Sequence, residues 1–339
     1  MKLPNDTVPH VTDMIPFFSR QVEDSQCSSE LNVTVVICAY TEARWHHTEA
    51  AVRSVLSQQR RPQQVLLVID HNAALAARAR QEFPALTVLD SNGEPGLSGA
   101  RNTGLRAATC GVTAFLDDDA VARPGWLASL VRPYEDSRVV ATGGSVYPLW
   151  LAGRPRWMPP EFYWVVGCSY RGLPEEIGVV RNPIGANMSM RTTQALGIGG
   201  FYAAVGRTAS KPRGCEETEL AIRLTASRPG SAVVYVPAAA VDHYVGRDRV
   251  TFSYFLRRCW HEGRSKATVV RLAGARAGLE RERRHAAAVI PAAIFRYLRQ
   301  LATGDASATM RIVATVVGLA VTVGGYLTAS AHLSVSREH

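Results

Sequence analysis

Between residues 33 and 116 the chain alternates short, almost wholly apolar runs with stretches whose apolar residues recur at helical spacing. Val33–Tyr40 (VTVVICAY), Val65–Ile69 (VLLVI) and Val112–Leu116 (VTAFL) have the length of strands, and nearly continuous apolar runs of this kind belong in sheets covered on both faces. Residues 48–59 put Ala51, Val52, Val55 and Leu56 on one stripe, which predicts a helix stopped by Pro62. A further helix is predicted over 73–82 and a short strand over 86–89. This β-α-β-α-β order predicts an α/β domain with a mostly parallel central sheet, right-handed crossovers and flanking helices. Ligands of such sheets sit beyond the carboxyl ends of the strands, which singles out Tyr40–Glu42, Asp70–Asn72 and Asp90–Gly99.

The pattern loosens over Pro148–Pro183, where Trp150, Trp157, Phe162, Tyr163, Trp164 and Tyr170 stand among prolines. Such a segment either packs its own aromatic side chains or forms a wall for a sugar or lipid. Helical spacing returns over 217–226 and 251–273. Then, from Ile312 to Ser336, no Asp, Glu, Lys or Arg occurs. About 20 residues of helix cross a bilayer core, so 312–333 is long enough; the competing reading is a buried amphipathic helix rich in Ala, Gly and Thr. Ala286–Phe295 is also uncharged, but it is too short to span and contains Pro291, which predicts a break, an interfacial segment or half of a hairpin.

Composition narrows the choices. With 339 residues, 47% apolar and 20% charged, the chain is no disordered tail. Six isolated cysteines without a C-x-x-C pair read as reduced intracellular thiols and give no framework for zinc. The net charge of +9 is lopsided, with 15 Lys/Arg against 7 Asp/Glu in residues 241–339 and 23 against 22 before them. Arg276, Arg281, Arg283, Arg284, Arg296, Arg299 and Arg311 precede the uncharged segment, the asymmetry expected if the domain stays on the cytoplasmic face of a membrane. Nucleic acid is set aside as a partner, because basic residues beside an uncharged helix fit anionic headgroups better. Residues 1–30, polar and holding Pro4, Pro9 and Pro16, read as a tail without a secretory h-region.

The candidate chemistry gathers after the fourth strand, at Asp117-Asp118-Asp119. Alternate strand residues face the same side, so Asp117 and Asp119 converge while Asp118 points away. Two convergent carboxylates suit Mg²⁺ or Mn²⁺, and a solvated acidic turn is the plain alternative. Gly96–Gly104 (GLSGARNTG) joins a glycine turn, a helix start and Arg101, a combination suited to a phosphate group. It has neither G-x-G-x-x-G spacing nor a P-loop Gly-Lys-[Ser/Thr].

In these segments the chain resembles the family 2 glycosyltransferases of the GT-A fold, over roughly residues 33–265. Val33–Glu42 is similar to the opening strand V-S-V-V-I-P-A-Y-N-E, with Cys38 and Thr41 in place of Pro and Asn. The resemblance implies donor contacts at Ala39, Tyr40 and Glu42, and at Asp70, the terminal aspartate of the next strand. His71-Asn72-Ala73 replaces the usual D-G-S continuation, which leaves the donor base open. Gly96–Gly104 looks like G-x-S-x-A-R-N-x-G, which implies that Arg101 faces the donor. Phe115–Asp119 looks like F-L-D-x-D, implying donor contact for Asp117 and Asp118, with metal ligation by Asp119 assisted by Asp117. Gly185–Arg191 with Gly199-Gly-Phe201 resembles G-A-N-x-x-x-R … G-G-F, and places Asn187, with Trp164, on the acceptor side. Glu216-Glu217-Thr-Glu219-Leu resembles E-D-x-x-L, which implies Glu217 as catalytic base with Glu216 beside it. His243 stands where several members place a further metal or phosphate ligand, although a lone histidine is more often structural. Phe255–Trp260 is a loose form of Q-x-x-R-W; the missing glutamine argues against processive synthesis, and Arg257 and Arg258 are left as diphosphate contacts.

The expectation is therefore a single GT-A type domain with a C-terminal, membrane-associated helical segment. Its parts are a tail (1–30), a nucleotide-binding half (31–120), an acceptor-binding half (121–245), a basic helical region (246–310) and an apolar helix (311–334). The expected reaction is inverting transfer from a nucleotide sugar to a hydroxyl of a lipid-linked or cell-envelope glycan acceptor, with Mn²⁺ or Mg²⁺. Two other classes are weighed against it. A sugar-phosphate nucleotidyltransferase needs a glycine- and lysine-containing loop after the first strand, where Tyr40–Arg44 has neither. A non-catalytic nucleotide-sugar binder would make the carboxylates at 117, 119 and 217 dispensable.

Overall fold

A computed structural model describes residues 31–202, 214–274, 279 and 282–335. The tail 1–30 and the arginines 276 and 281 lie outside the described residues. The first half runs β1 (Val33–Ala39), α1 (Trp45–Leu56), β2 (Gln64–Ile69), α2 (Ala73–Glu82), β3 (Thr87–Asp90), α3 (Leu97–Ala107) and β4 (Val112–Asp117). The second half adds β5 (Ala120–Ala122), α4 (Trp126–Val131), β6 (Val139–Trp150), β7 (Gly178–Val180), β8 (Asn187–Arg191), α5 (Thr192–Gly197), α6 (Glu216–Ser227) and β9 (Ala232–Val245). Three helices follow: α7 (Phe252–Ala273), α8 (Ile290–Ala302) and α9 (Ser307–Val335).

The strands form one sheet in the order β3-β2-β1-β4-β8-β6-β9-β5, with β7 also paired to β9. Neighbours from β3 to β4 are parallel, as expected from the helix between each pair. Beyond β4 the sheet is mixed: β8 runs antiparallel to β4 and β6, β6 and β9 are parallel, and β5 and β7 are antiparallel to β9. Parallel pairing needs a crossover of a dozen or more residues, usually a helix. The first half supplies α1, α2 and α3, whereas an aromatic loop precedes β8, so nothing imposes the parallel direction there.

Every residue of β1 is buried, and apolar clusters cover both sheet faces, one including Val35, Ile37 and Leu116 and the other Val36, Leu66 and Phe115. Two glycines of β6 let neighbouring segments approach. A Cβ on Gly144 would lie 1.7 Å from the Ala239 carbonyl oxygen and 2.6 Å from Asn187 Nδ2. A Cβ on Gly143 would meet Pro183 at 2.4 Å.

The C-terminal helix α9, uncharged beyond Arg311, is packed along one face and exposed along another. One face of α9 packs along α7 through glycines: Gly318 against Phe255 and Phe162, Gly325 against the Trp260 backbone, and Gly263 of α7 against the α9 backbone at Thr322 and Tyr326. The opposite face is exposed at Val313, Val316, Val323 and Leu327. Pro291 does not break its segment, contrary to the sequence expectation. A π-helical turn at His285–Val289 runs without a break into α8, and the widened turn lies where proline, lacking an N–H, cannot supply the regular α-helical bond. Two arginines of the basic run are not free for headgroups. Arg296 pairs with the fully buried Glu161, and Arg311 bonds Asp305 at 2.5 Å, Gln300 and the Arg156 carbonyl.

Gly144→Ala is expected to destabilise the fold by about 3 kcal/mol, the upper end for overpacking, because backbone rather than a flexible side chain blocks the added methyl. Urea unfolding monitored by circular dichroism measures it; a midpoint equal to that of the parent protein would contradict this packing.

Candidate active site

Asp117 closes β4, and the chain turns through Asp118 and Asp119 into β5. The two-residue turn leaves Asp119 beside Asp117, and β9 brings a third group, since Ala120 pairs with His243. One ligand atom from each of Asp117, Asp119 and His243 lies within 4.8 Å of the others. His243 Nε2 is 3.1 Å from Asp119 Oδ1, while Arg44 Nη1 at 2.7 Å and Arg249 Nη2 at 3.2 Å donate to Oδ2. Burial opposes charge on Asp119, but these three neighbours outweigh it and hold the carboxyl well below its usual range. His243 shows the other side of the pairing: burial lowers its pKa, Asp119 more than compensates, and the result is about 10. Asp118, turned away as expected, is buried against Arg44 at 3.3 Å, and burial with the Asp119 charge pushes it up to about 8.

Two carboxylates and an imidazole form a donor set of the kind that holds Mn²⁺ or Mg²⁺. The residues fit such an ion on one condition: His243 must lose its proton to solvent before its Nε2 can ligate, because only neutral imidazole coordinates.

Arg101 joins this cluster to a second one. Its side chain is almost fully buried, and Nη2 donates to Asp117 Oδ1 at 2.9 Å and to the Gly185 carbonyl at 2.8 Å, while Nη1 donates to Glu216 Oε1 at 3.0 Å. Glu216 and Glu217 open α6, with Cys215 before them in a left-handed conformation at φ 83°. Acids in a first helical turn are favoured by the helix dipole. Glu216 is spent on Arg101, whereas Glu217 faces a cavity of about 250 Å³ also lined by Asp117, Trp164, His243 and Leu319. Burial, then repulsion from Glu216, pushes Glu217 up to about 7.

The remaining sequence candidates fall in different places. Asp70 Oδ2 accepts from the Gly96 N–H at 2.9 Å and Oδ1 faces His71 Nδ1 at 2.7 Å, so it fixes the start of α3 at the rim. Ala39 is buried at the end of β1, Tyr40 is half-exposed under the Arg44 guanidinium, and Glu42 is exposed; none of them lines the cavity. Arg258 lines the cavity, but Arg257 turns outward over the Tyr254 ring, which corrects its reading as a diphosphate contact. Asn187 is corrected as well. It is fully buried, Oδ1 accepts from Trp126 Nε1 at 2.8 Å, and Nδ2 donates to the Ser145 and Ala239 carbonyls, so it braces the sheet and has no reach to an acceptor. Asp118, expected as a donor contact, is buried with Oδ1 on Arg44 and braces the turn.

Sequence reasoning missed Arg44 and Arg249, which reach Asp119 from 75 and 130 residues away. It also missed a buried ionic ladder at the cavity's far end, where Lys266 bonds Glu262 at 3.3 Å and Glu282 at 2.9 Å, and Arg181 grips Glu282 with two hydrogen bonds. The surplus of arginine near an acidic turn was the available signal; the pairings themselves are tertiary.

Comparison with known proteins agrees with the fold. The sequence profile described as "Glycosyl transferase family 2" matches residues 34–194. A glucosyl-dolichyl phosphate glucuronosyltransferase of Haloferax volcanii is 36% identical over 240 residues, covering 70% of this chain and 76% of the relative. The succinoglycan biosynthesis protein ExoM of Rhizobium meliloti is 24% identical over 242 residues, 69% of this chain and 74% of its own. Among solved structures, the mannosyltransferase PcManGT from Pyrobaculum calidifontis, in complex with GDP-Man and Mn²⁺, superposes with a TM-score of 0.56 at 20% identity, over 91% of this chain and 88% of that one. GalNAc-T7 with UDP, GalNAc and Mn²⁺ superposes at 0.50 with 15% identity, over 71% and 52%. These two share the fold of a mixed α/β sheet. With the profile, the long stretch of identity and the fold in agreement, the chain belongs to glycosyltransferase family 2 and is a glycosyltransferase.

Proposed function

We propose that the protein transfers a sugar, with inversion, from a nucleoside-diphosphate sugar to a hydroxyl of a lipid-linked acceptor at the cytoplasmic face of a membrane. The observation that carries this reading is the make-up of one cavity, which Asp117, His243 and Glu217 share with Leu319 and Thr322 of the apolar helix α9. The donor's diphosphate belongs at the aspartates and the lipid-borne acceptor at the helical wall. The relative named for a glucosyl-dolichyl phosphate substrate supports the acceptor class.

Glu217 takes the proton of the acceptor hydroxyl as that oxygen attacks the anomeric carbon. The new C–O bond forms on the face opposite the bond to the diphosphate, which breaks and leaves with its electron pair. A carboxylate near pKa 4.3 is a weak base, and the burial that raises Glu217 makes it a better match for the task. Arg101 fixes Asp117 and Glu216 and keeps their charges from repelling each other, so both acids hold position through the reaction. Asp117, Asp119 and His243 would hold Mn²⁺ or Mg²⁺, which offsets charge on the departing diphosphate.

Glu217→Gln should retain donor binding and lose about a thousandfold in turnover; undiminished turnover removes the base assignment. Because a base acts only when unprotonated and the pKa of Glu217 is raised to about 7, turnover should climb through that pH to a plateau. A profile already flat from pH 5 upward would contradict it. Chelation by EDTA should stop the reaction and added Mn²⁺ restore it, while Asp119→Ala should stay inactive with Mn²⁺ present. Activity that survives EDTA would rule out the metal.

A further inference from the structure

The outer face of α9 is an unbroken apolar stripe: Met310, Val313, Val316, Ala320, Val323 and Leu327 are all exposed. Phe295, Leu298 and Leu301 of α8 extend it, with Phe295 64% exposed. By length and composition Ser307–Ala331 could cross a bilayer. Its packing argues otherwise. Residues 318–326 are held against residues 255–263 of α7 by glycines so close that backbone meets backbone, and α7 cannot be left behind if α9 inserts upright.

On α7 the arginines 257, 264 and 271 are all exposed and seven residues apart, hence on one face. An upright α9 would draw Arg257 and Arg264, about 10 Å apart along the axis, into a hydrocarbon core roughly 30 Å thick. Neither would face a protein interior there, where intramembrane charges are normally kept. A helix lying flat sinks about 5–10 Å into the headgroup boundary, and α7, behind it by about one helix diameter, then carries its arginines at headgroup level. Charge points the same way. In α7, α8 and α9 together Glu262 is the one acidic residue, and it faces the cavity.

We infer that α8 and α9 lie in the plane of an anionic bilayer, with the apolar stripe sunk into it and Arg264 and Arg271 on its phosphates, and that α9 does not cross. The inference rests on the membrane reading above and adds the orientation. The occupant of the stripe is lipid, in preference to a second copy of the chain, because among the described residues the one acid beside the stripe, Asp305, is already paired with Arg311 and leaves nothing to complement the exposed arginines of α7.

The full-length protein is bound to phosphatidylcholine vesicles containing phosphatidylglycerol. It carries nitroxide labels singly at Met310→Cys, Val316→Cys, Val323→Cys or Ala331→Cys, with Cys27→Ser and Cys110→Ser as background. Equal immersion depth at every label, measured by oxygen and nickel relaxation, is the expected result. Depth that is shallow at both ends and greatest in the middle would overturn the flat orientation while leaving the membrane reading intact. Arg264→Gln combined with Arg271→Gln should weaken flotation with these vesicles roughly thirtyfold at low salt, with unchanged thermal unfolding; undiminished flotation removes the arginines' role. Water-like relaxation at every label, with light scattering reporting a dimer, would defeat both the inference and the membrane reading.

Discussion

A single buried guanidinium ties the two halves of the site together. Arg101 sits on α3, yet it binds the last residue of β4, the first residue of α6 and the Gly185 carbonyl before β8, with the Phe201 ring centroid 5.6 Å beneath it. Asp117 and Glu216 could not share so dry a corner without it, because removing one partner of a buried ionic cluster typically costs about 3–5 kcal/mol. The Gly96–Gly104 segment, with Asp70 fastening its first turn, therefore aligns the carboxylates on both sides of the cavity. Whatever direct contact Arg101 makes with substrate is added to that duty.

Surroundings give the neighbouring acids different characters. Asp119 stands among two arginines and a histidine and stays ionised. Glu217 is half-buried beside the charge of Glu216, and both effects make it bind its proton more firmly. Pairs of titratable groups whose environments push their pKa values apart are how a single site combines an electrostatic anchor with a proton acceptor. The chemistry thus follows from the uneven distribution of arginines, more than from the number of carboxylates.

Most of the parallel half of the sheet is legible in the sequence, because continuous apolar runs and helix-spaced stripes alternate there without interruption. The helix over 73–82 is placed to the residue. The antiparallel insertion of β8 is not legible: its five residues (NMSMR) alternate polar and apolar as a strand does, but alternation gives neither direction nor neighbours, and the close approach of the segments around it depends on Gly143 and Gly144. The acids at 117, 119 and 217 stand in recognisable motifs, but the turn that separates Asp118 from Asp117 and Asp119, and the Arg44 that Asp118 shares with Asp119, are not readable from alternation. Motif reading failed at Asn187, where a polar residue in a conspicuous segment serves the backbone, and at Arg257, where helical phase turns one of two adjacent arginines outward. Arg44 and Arg249 were hidden because ion pairs across 75 and 130 residues leave no local trace.

The helix α9 is one side chain thick in two directions at once. Leu319 and Thr322 look into the cavity, while Val316, Ala320 and Val323, from the same turns, look outward. Only the width of a single helix, about 10 Å, separates the reacting groups from whatever covers the outer stripe. On the proposed function, a lipid-linked acceptor anchored there would lift its head by no more than that width, and only the first units of its tail would pass the helical wall. On that reading most of the tail stays in the bilayer, and its length would be set by the membrane and by the enzymes acting before this one, not measured by the cavity.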